Sequence, residues 1–123
     1  MTTTYGPYTP VRRAGNLLFI SGQVGINTET RVAPADIETQ TQQALDNMAS
    51  VLQSVGANLQ DVIKTTVFLT AMDDMVTMNT VYERVFSLPR PARSTVEVRA
   101  LPHVTGMVPL LIEIEAVAYQ EAV

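Results

Sequence analysis

Leu110-Leu111-Ile112-Glu113-Ile114-Glu115-Ala116-Val117-Ala118-Tyr119 alternates as a strand does. Leu110, Ile112, Ile114, Ala116 and Ala118 fall on one face, and Leu111, Glu113, Glu115, Val117 and Tyr119 on the other. The first set is wholly apolar and reads as core. The second mixes two carboxylates with large apolar side chains. Glutamates on a strand usually mark a wetted face, yet Leu111 and Val117 shelter these two. A sheltered carboxylate has its charged form disfavoured unless a cation pairs with it. Pro109 has no N–H to give to a ladder, so the strand begins at an edge or a bulge.

Working outward, Pro91-Ala92-Arg93-Ser94-Thr95-Val96-Glu97-Val98 is a proline-stiffened lead into another strand, with Thr95, Val96 and Val98 supplying β propensity. Arg93 sits where loop becomes strand, a place where a scaffold can aim a side chain. A guanidinium held there can grip a carboxylate through two parallel hydrogen bonds. Arg93 is a natural partner for one of the two glutamates. Val62 to Leu69, with Thr65, Thr66, Val67 and Phe68, is a third strand. Leu17-Leu18-Phe19-Ile20-Ser21 is a buried strand ending at Gly22, and Val11 to Gly15 a short one closed by a turn at Ala14-Gly15-Asn16. Residues 24–35 read as a loop or loose hairpin.

Two helices lie between these strands. Asp36 caps the first, whose apolar face is Ile37, Thr41, Ala44, Leu45, Met48, Val51, Leu52 and Val55. Gln40, Gln42, Gln43, Asp46, Asn47 and Gln53 fill much of its other face, and Gly56 is placed for a left-handed cap. The second starts at Ala71-Met72-Asp73-Asp74 with an aspartate cap and turns Met75, Met78, Val81, Tyr82, Val85 and Phe86 inward. Asn79 sits mid-helix, where its propensity is poor. Helices alternating with strands predict a mixed sheet with both helices on one face. The opposite face is then uncovered, and its apolar residues call for a symmetric partner.

The 123 residues suit one domain, 1–123, and 46% hydrophobic residues suffice for a core. The absence of cysteine excludes disulfides, thiolate ligands and a cysteine nucleophile, and the single histidine, His103, excludes a histidine-rich metal site within one chain. A net charge of −4 without a basic run disfavours nucleic-acid binding. No signal peptide or membrane span is read, so a cytoplasmic location is expected. No Gly-x-Ser-x-Gly elbow supports a serine nucleophile.

Gly6-Pro7-Tyr8, Ser21-Gly22-Gln23, Lys64-Thr65-Thr66-Val67-Phe68-Leu69, Asn79 with Tyr82, Pro91 through Val98, and Ile112-Glu113-Ile114-Glu115-Ala116 occur in that order along nearly the whole chain. Through them the chain resembles the RidA/YjgF family of reactive intermediate deaminases. The resemblance implies an α+β, chorismate-mutase-like fold with a mixed six-stranded sheet and two helices packed on one face. It implies a homotrimer with intersubunit sites that hydrolyse enamine/imine intermediates to 2-keto acids and ammonia. No cofactor or metal is implied; the partners are a small imino or keto acid and copies of the chain, with no nucleic acid and no membrane. By the same resemblance Arg93 binds the substrate carboxylate and Tyr8 closes over the ligand. Ser21 and Asn79 line the site, Thr95 offers backbone contacts, and Glu113 handles the attacking water. An alternative is a non-catalytic carboxylate-binding or chaperone-like trimer, and a third reading is ribonuclease activity.

The chain departs from the family pattern in three places. Thr9-Pro10-Val11 follows Tyr8 where Ser-Gln-Ala is more usual. The Ser87–Arg90 segment is short, and the link from His103 to Leu111 is long. The last two are expected near the cleft and bear on substrate range and on where Glu113 stands relative to Arg93.

Overall fold

The computed structural model describes residues 6–103, 106 and 108–121. The strands are β1 (Val11–Ala14), β2 (Leu17–Val24), β3 (Val62–Leu69), β4 (Ala92–Glu97) and β5 (Ile112–Tyr119). The helices are α1 (Ile37–Gln53), between β2 and β3, and α2 (Met75–Val85), between β3 and β4. They form one mixed sheet in the order β1-β2-β5-β3-β4, with β3 and β4 parallel and all other neighbours antiparallel. The six strands expected are five among the described residues. The long connection from β4 to β5 adds none, and its Pro102 and Pro109 lack the N–H that a ladder needs.

The alternation in β5 sorts as expected: Ile112, Ile114, Ala116 and Ala118 are buried. They pack with Leu18 and Ile20 of β2, Val67 and Leu69 of β3, and the inner faces of both helices into one core. Strand β2 runs past Ser21 to Val24, because a bulge between Ile20 and Gln23 lets it continue its pairing with β5.

Asp36 caps α1 as read, its carboxylate accepting from the Thr39 N–H at 2.9 Å. Gly56, at φ +75°, ends the turn that follows, and the Gly56 and Ala57 N–H groups close on the Gln53 and Leu52 carbonyls. The aspartate cap expected for α2 is not made: Asp74 stays helical after a single 3-10 turn, Met72–Asp74, and caps nothing with its side chain.

Gln40 and Asn47, assigned to the polar face of α1, are buried. The Gln40 amide donates to the Pro34 and Pro109 carbonyls (2.8 and 3.2 Å), and its oxygen accepts from the Leu111 N–H at 2.8 Å. Asn47 donates to the Val24 and Ile26 carbonyls. These side chains are inside because loops, which have no ladder of their own, spend their backbone groups on them. The Gln40 clamp fixes the start of β5 directly after the long connection. Within that connection residues 104, 105 and 107 lie outside the described set.

Candidate functional site

The site residues named from sequence fall into two groups, on opposite faces of the sheet. Arg93 pairs in register with Thr65, and Thr65 with Ala116, both buried on the helix side. The Arg93 side chain accordingly turns toward α2. Its guanidinium carbon lies 4.9 Å from the centroid of the Tyr82 ring, and Nη1 lies 4.0 Å from the Met78 sulfur. Tyr82 is itself fixed: its hydroxyl shares a 2.7 Å hydrogen bond with Thr65 Oγ1, and its ring meets Phe86 with centroids 4.6 Å apart. Burial raises the Tyr82 pKa above its ordinary value, so the ring stays neutral and presents its face to the cation. Thr95 follows Arg93 on the same face of β4, opposite Val67.

Asn79, Tyr82 and Glu83 share one flank of α2 through their i, i+3, i+4 spacing. With Arg90, Pro91 and Arg93 they line a cleft of about 460 Å³. Asn79 Oδ1 is buried and has no hydrogen-bond partner among the described residues. An unmet buried acceptor costs roughly 1–3 kcal/mol. Sequence reading had placed Arg93 and Asn79 here but not Tyr82, Glu83 or Arg90. The helical spacing from Asn79 was the available signal for the first two; Arg90 looked like loop.

The second group lies on the uncovered face. Glu113 pairs with Phe68 and Val24, pointing away from the helices. Burial raises its pKa above that of an ordinary glutamate, and the neighbouring Glu115 charge adds to the effect. Gly22, in the β2 bulge, makes room for it: a Cβ there would stand 2.3 Å from Glu113 Oε2. The next residue back, Ser21, donates from its hydroxyl to the Thr9 carbonyl at 2.6 Å, and its N–H donates to the Pro10 carbonyl. This holds the segment carrying Tyr8, a residue 46% exposed, beside the strand.

The expected pairing of Arg93 with Glu113 inside one chain is thereby corrected. Strand alternation sends the two side chains to opposite faces, with β3 between their strands. Among the described residues no group of three or more His, Cys, Asp or Glu side chains could hold a metal ion.

Comparison with known proteins bears on the family and the fold. A family model described as Endoribonuclease L-PSP matches residues 2–120. A RutC family protein of Pyrococcus horikoshii is 46% identical over 117 residues, spanning 94% of this chain and 89% of that one. A 2-iminobutanoate/2-iminopropanoate deaminase of Escherichia coli K12 is 40% identical over 116 residues, 92% of this chain and 87% of its own. The crystal structure of the Escherichia coli YjgF gene product superposes with a TM-score of 0.89 at 37% identity, covering 98% of this chain and 93% of that one. With its α+β architecture, its motifs in order and relatives matched over nearly their full length, the chain belongs to the RidA/YjgF family.

Proposed function

We propose that this protein hydrolyses reactive enamine/imine intermediates of the 2-aminoacrylate and 2-iminobutyrate type to 2-keto acids and ammonia, at a site formed between copies of the chain. The observation that carries this reading is the unmet Asn79 acceptor in the same cleft as the Arg93 guanidinium. A 2-imino acid offers the complement of both: a carboxylate for the fork of Arg93, and an N–H for Asn79 once its side chain turns into the cleft. The resemblance to a deaminase at 40% identity supports the same chemistry.

The imine carbon is electrophilic already, so positioning and one base suffice. With the imine nitrogen protonated, ionised Glu113 takes a proton from water as the oxygen bonds to the iminium carbon, giving a neutral carbinolamine. Glu113 then gives that proton to the amino nitrogen; as the C–N bond breaks and ammonia leaves, the carbinol O–H proton passes back to Glu113 and the 2-keto acid forms. An enamine enters this sequence after protonation at its β carbon gives the same iminium.

Within one chain, Glu113 and Arg93 face opposite sides of the sheet. A second copy that brings its Glu113, Ser21 and Tyr8 to the Arg93 cleft completes the constellation, and a homotrimer does this three times over. The uncovered face suits such packing, since Phe19 and Tyr119 are exposed on it.

The test is release of keto acid from freshly generated 2-aminoacrylate. Wild type accelerates it, Arg93→Ala does not, and Glu113→Gln loses turnover while still binding keto acid. Absence of turnover on any small imino acid would leave the non-catalytic binder. The family description also raises ribonuclease activity; the net charge of −4 opposes it. RNA left intact by the preparation that turns over imine would dispose of it.

A further inference from the structure

The cleft that holds Arg93 contains a second cation. Arg90, next to Pro91 in the chain, also lines it. Its Nε donates to the Phe86 carbonyl at 3.1 Å and its Nη2 to the Glu83 carbonyl at 3.5 Å, at the C-terminal end of α2. Those bonds hold the guanidinium in place and use two of its five N–H groups. The side chain is otherwise exposed and open to a ligand. Burial raises the Tyr82 pKa, and against it the Thr65 hydrogen bond and then the Arg93 and Arg90 charges lower it. Glu83 is the one carboxylate among the lining residues, so the lining carries two cations and one anion. An imino acid with a single carboxylate answers only Arg93. Arg90, moreover, belongs to the Ser87–Arg90 segment, where the chain departs from the family pattern.

We infer that the cleft selects imino acids whose side chain bears a second carboxylate, with Arg93 gripping the α-carboxylate and Arg90 the distal one. This rests on the carboxylate-binding role proposed above for Arg93. Arg90 is then a specificity-determining residue. Glu83 works against it and limits how tightly a diacid is held.

The experiment is calorimetric titration of the wild-type protein, Arg90→Gln and Glu83→Gln with 2-oxobutyrate and 2-oxoglutarate, at low salt in a cationic buffer. Wild type binds 2-oxoglutarate about tenfold more tightly, the worth of one additional charge-assisted contact. In Arg90→Gln the ratio of the two affinities falls to about one, and in Glu83→Gln it widens. Thermal melts check that each variant is folded. Equal affinities in the wild type, or a preference that survives in Arg90→Gln, would overturn the inference. Its failure is separable from failure of the deaminase reading. A diacid preference without imine turnover upholds the role of Arg90 and removes the deaminase, whereas turnover with equal affinities does the reverse.

Discussion

Arg93 owes its posture to Tyr82. The ring beneath the guanidinium contributes about 0.5–1 kcal/mol at a partly exposed position. The larger consequence is that the fork is aimed before any ligand arrives. Tyr82→Leu is expected to raise KM for an imino acid more than it lowers kcat, because orientation of the carboxylate grip is lost while Glu113 is untouched; steady-state kinetics read this directly. Glu113 gives a pH prediction. Its pKa in the fold is raised, so the fold favours the protonated carboxyl. That stability is fully present below the unfolded value of about 4.3 and is lost as pH rises through the folded value. Glu113→Gln, which cannot ionise, should therefore melt higher than wild type at pH 7, the difference vanishing near pH 3. If Glu113 is the base as proposed, turnover needs it ionised and should fall on acidification with a midpoint above the ordinary glutamate value. Of these features the sequence disclosed the carboxylate and its sheltered face through the Leu111 and Val117 neighbours. It concealed the Tyr82 platform, because an aromatic at a core spacing reads as core until its edge is seen beside a cation.

At the scale of elements, strand alternation was legible and strand termination was not. The inner and outer faces of β5 sort as its sequence alternates, but β2 passes through Ser21-Gly22 by a bulge, and a bulge has no signal beyond a glycine that could equally end a strand. Gly22 has a second task. Its lack of a side chain gives the Glu113 carboxylate its place, and the atom that a Cβ would strike is the end of a flexible side chain. Gly22→Ala should then leave the melting temperature nearly unchanged while, if Glu113 is the proposed base, lowering kcat by about tenfold to a hundredfold, the usual result of displacing a catalytic group by about an ångström. The Gln40 clamp predicts the opposite pattern. Gln40→Ala strands the Leu111 N–H and two carbonyls and leaves a hole, at a cost of about 2–4 kcal/mol in denaturant unfolding. A glutamine among three others on a helix offers no mark in sequence that it will be the buried one. The partner groups it satisfies are 6, 69 and 71 residues away.

For the whole molecule, the sheet is closed on one side by helices and open on the other, and this was readable from the order of elements alone. What order could not tell was the side on which each candidate residue would fall. Pairing Arg93 with Glu113 looked natural because one is a cation and the other a carboxylate; only the register through Thr65 and Ala116 shows that the sheet stands between them. That separation has a genetic consequence. If every working site draws Arg93 from one copy and Glu113 from the next, a chain lacking the first and a chain lacking the second are each dead alone but carry complementary lesions. Co-expressed and mixed at random in equal amounts, Arg93→Ala and Glu113→Gln should rescue one another to about a quarter of wild-type turnover, the fraction of junctions at which two intact halves meet. Failure to recover any activity from mixed oligomers would mean that both residues serve the same chain.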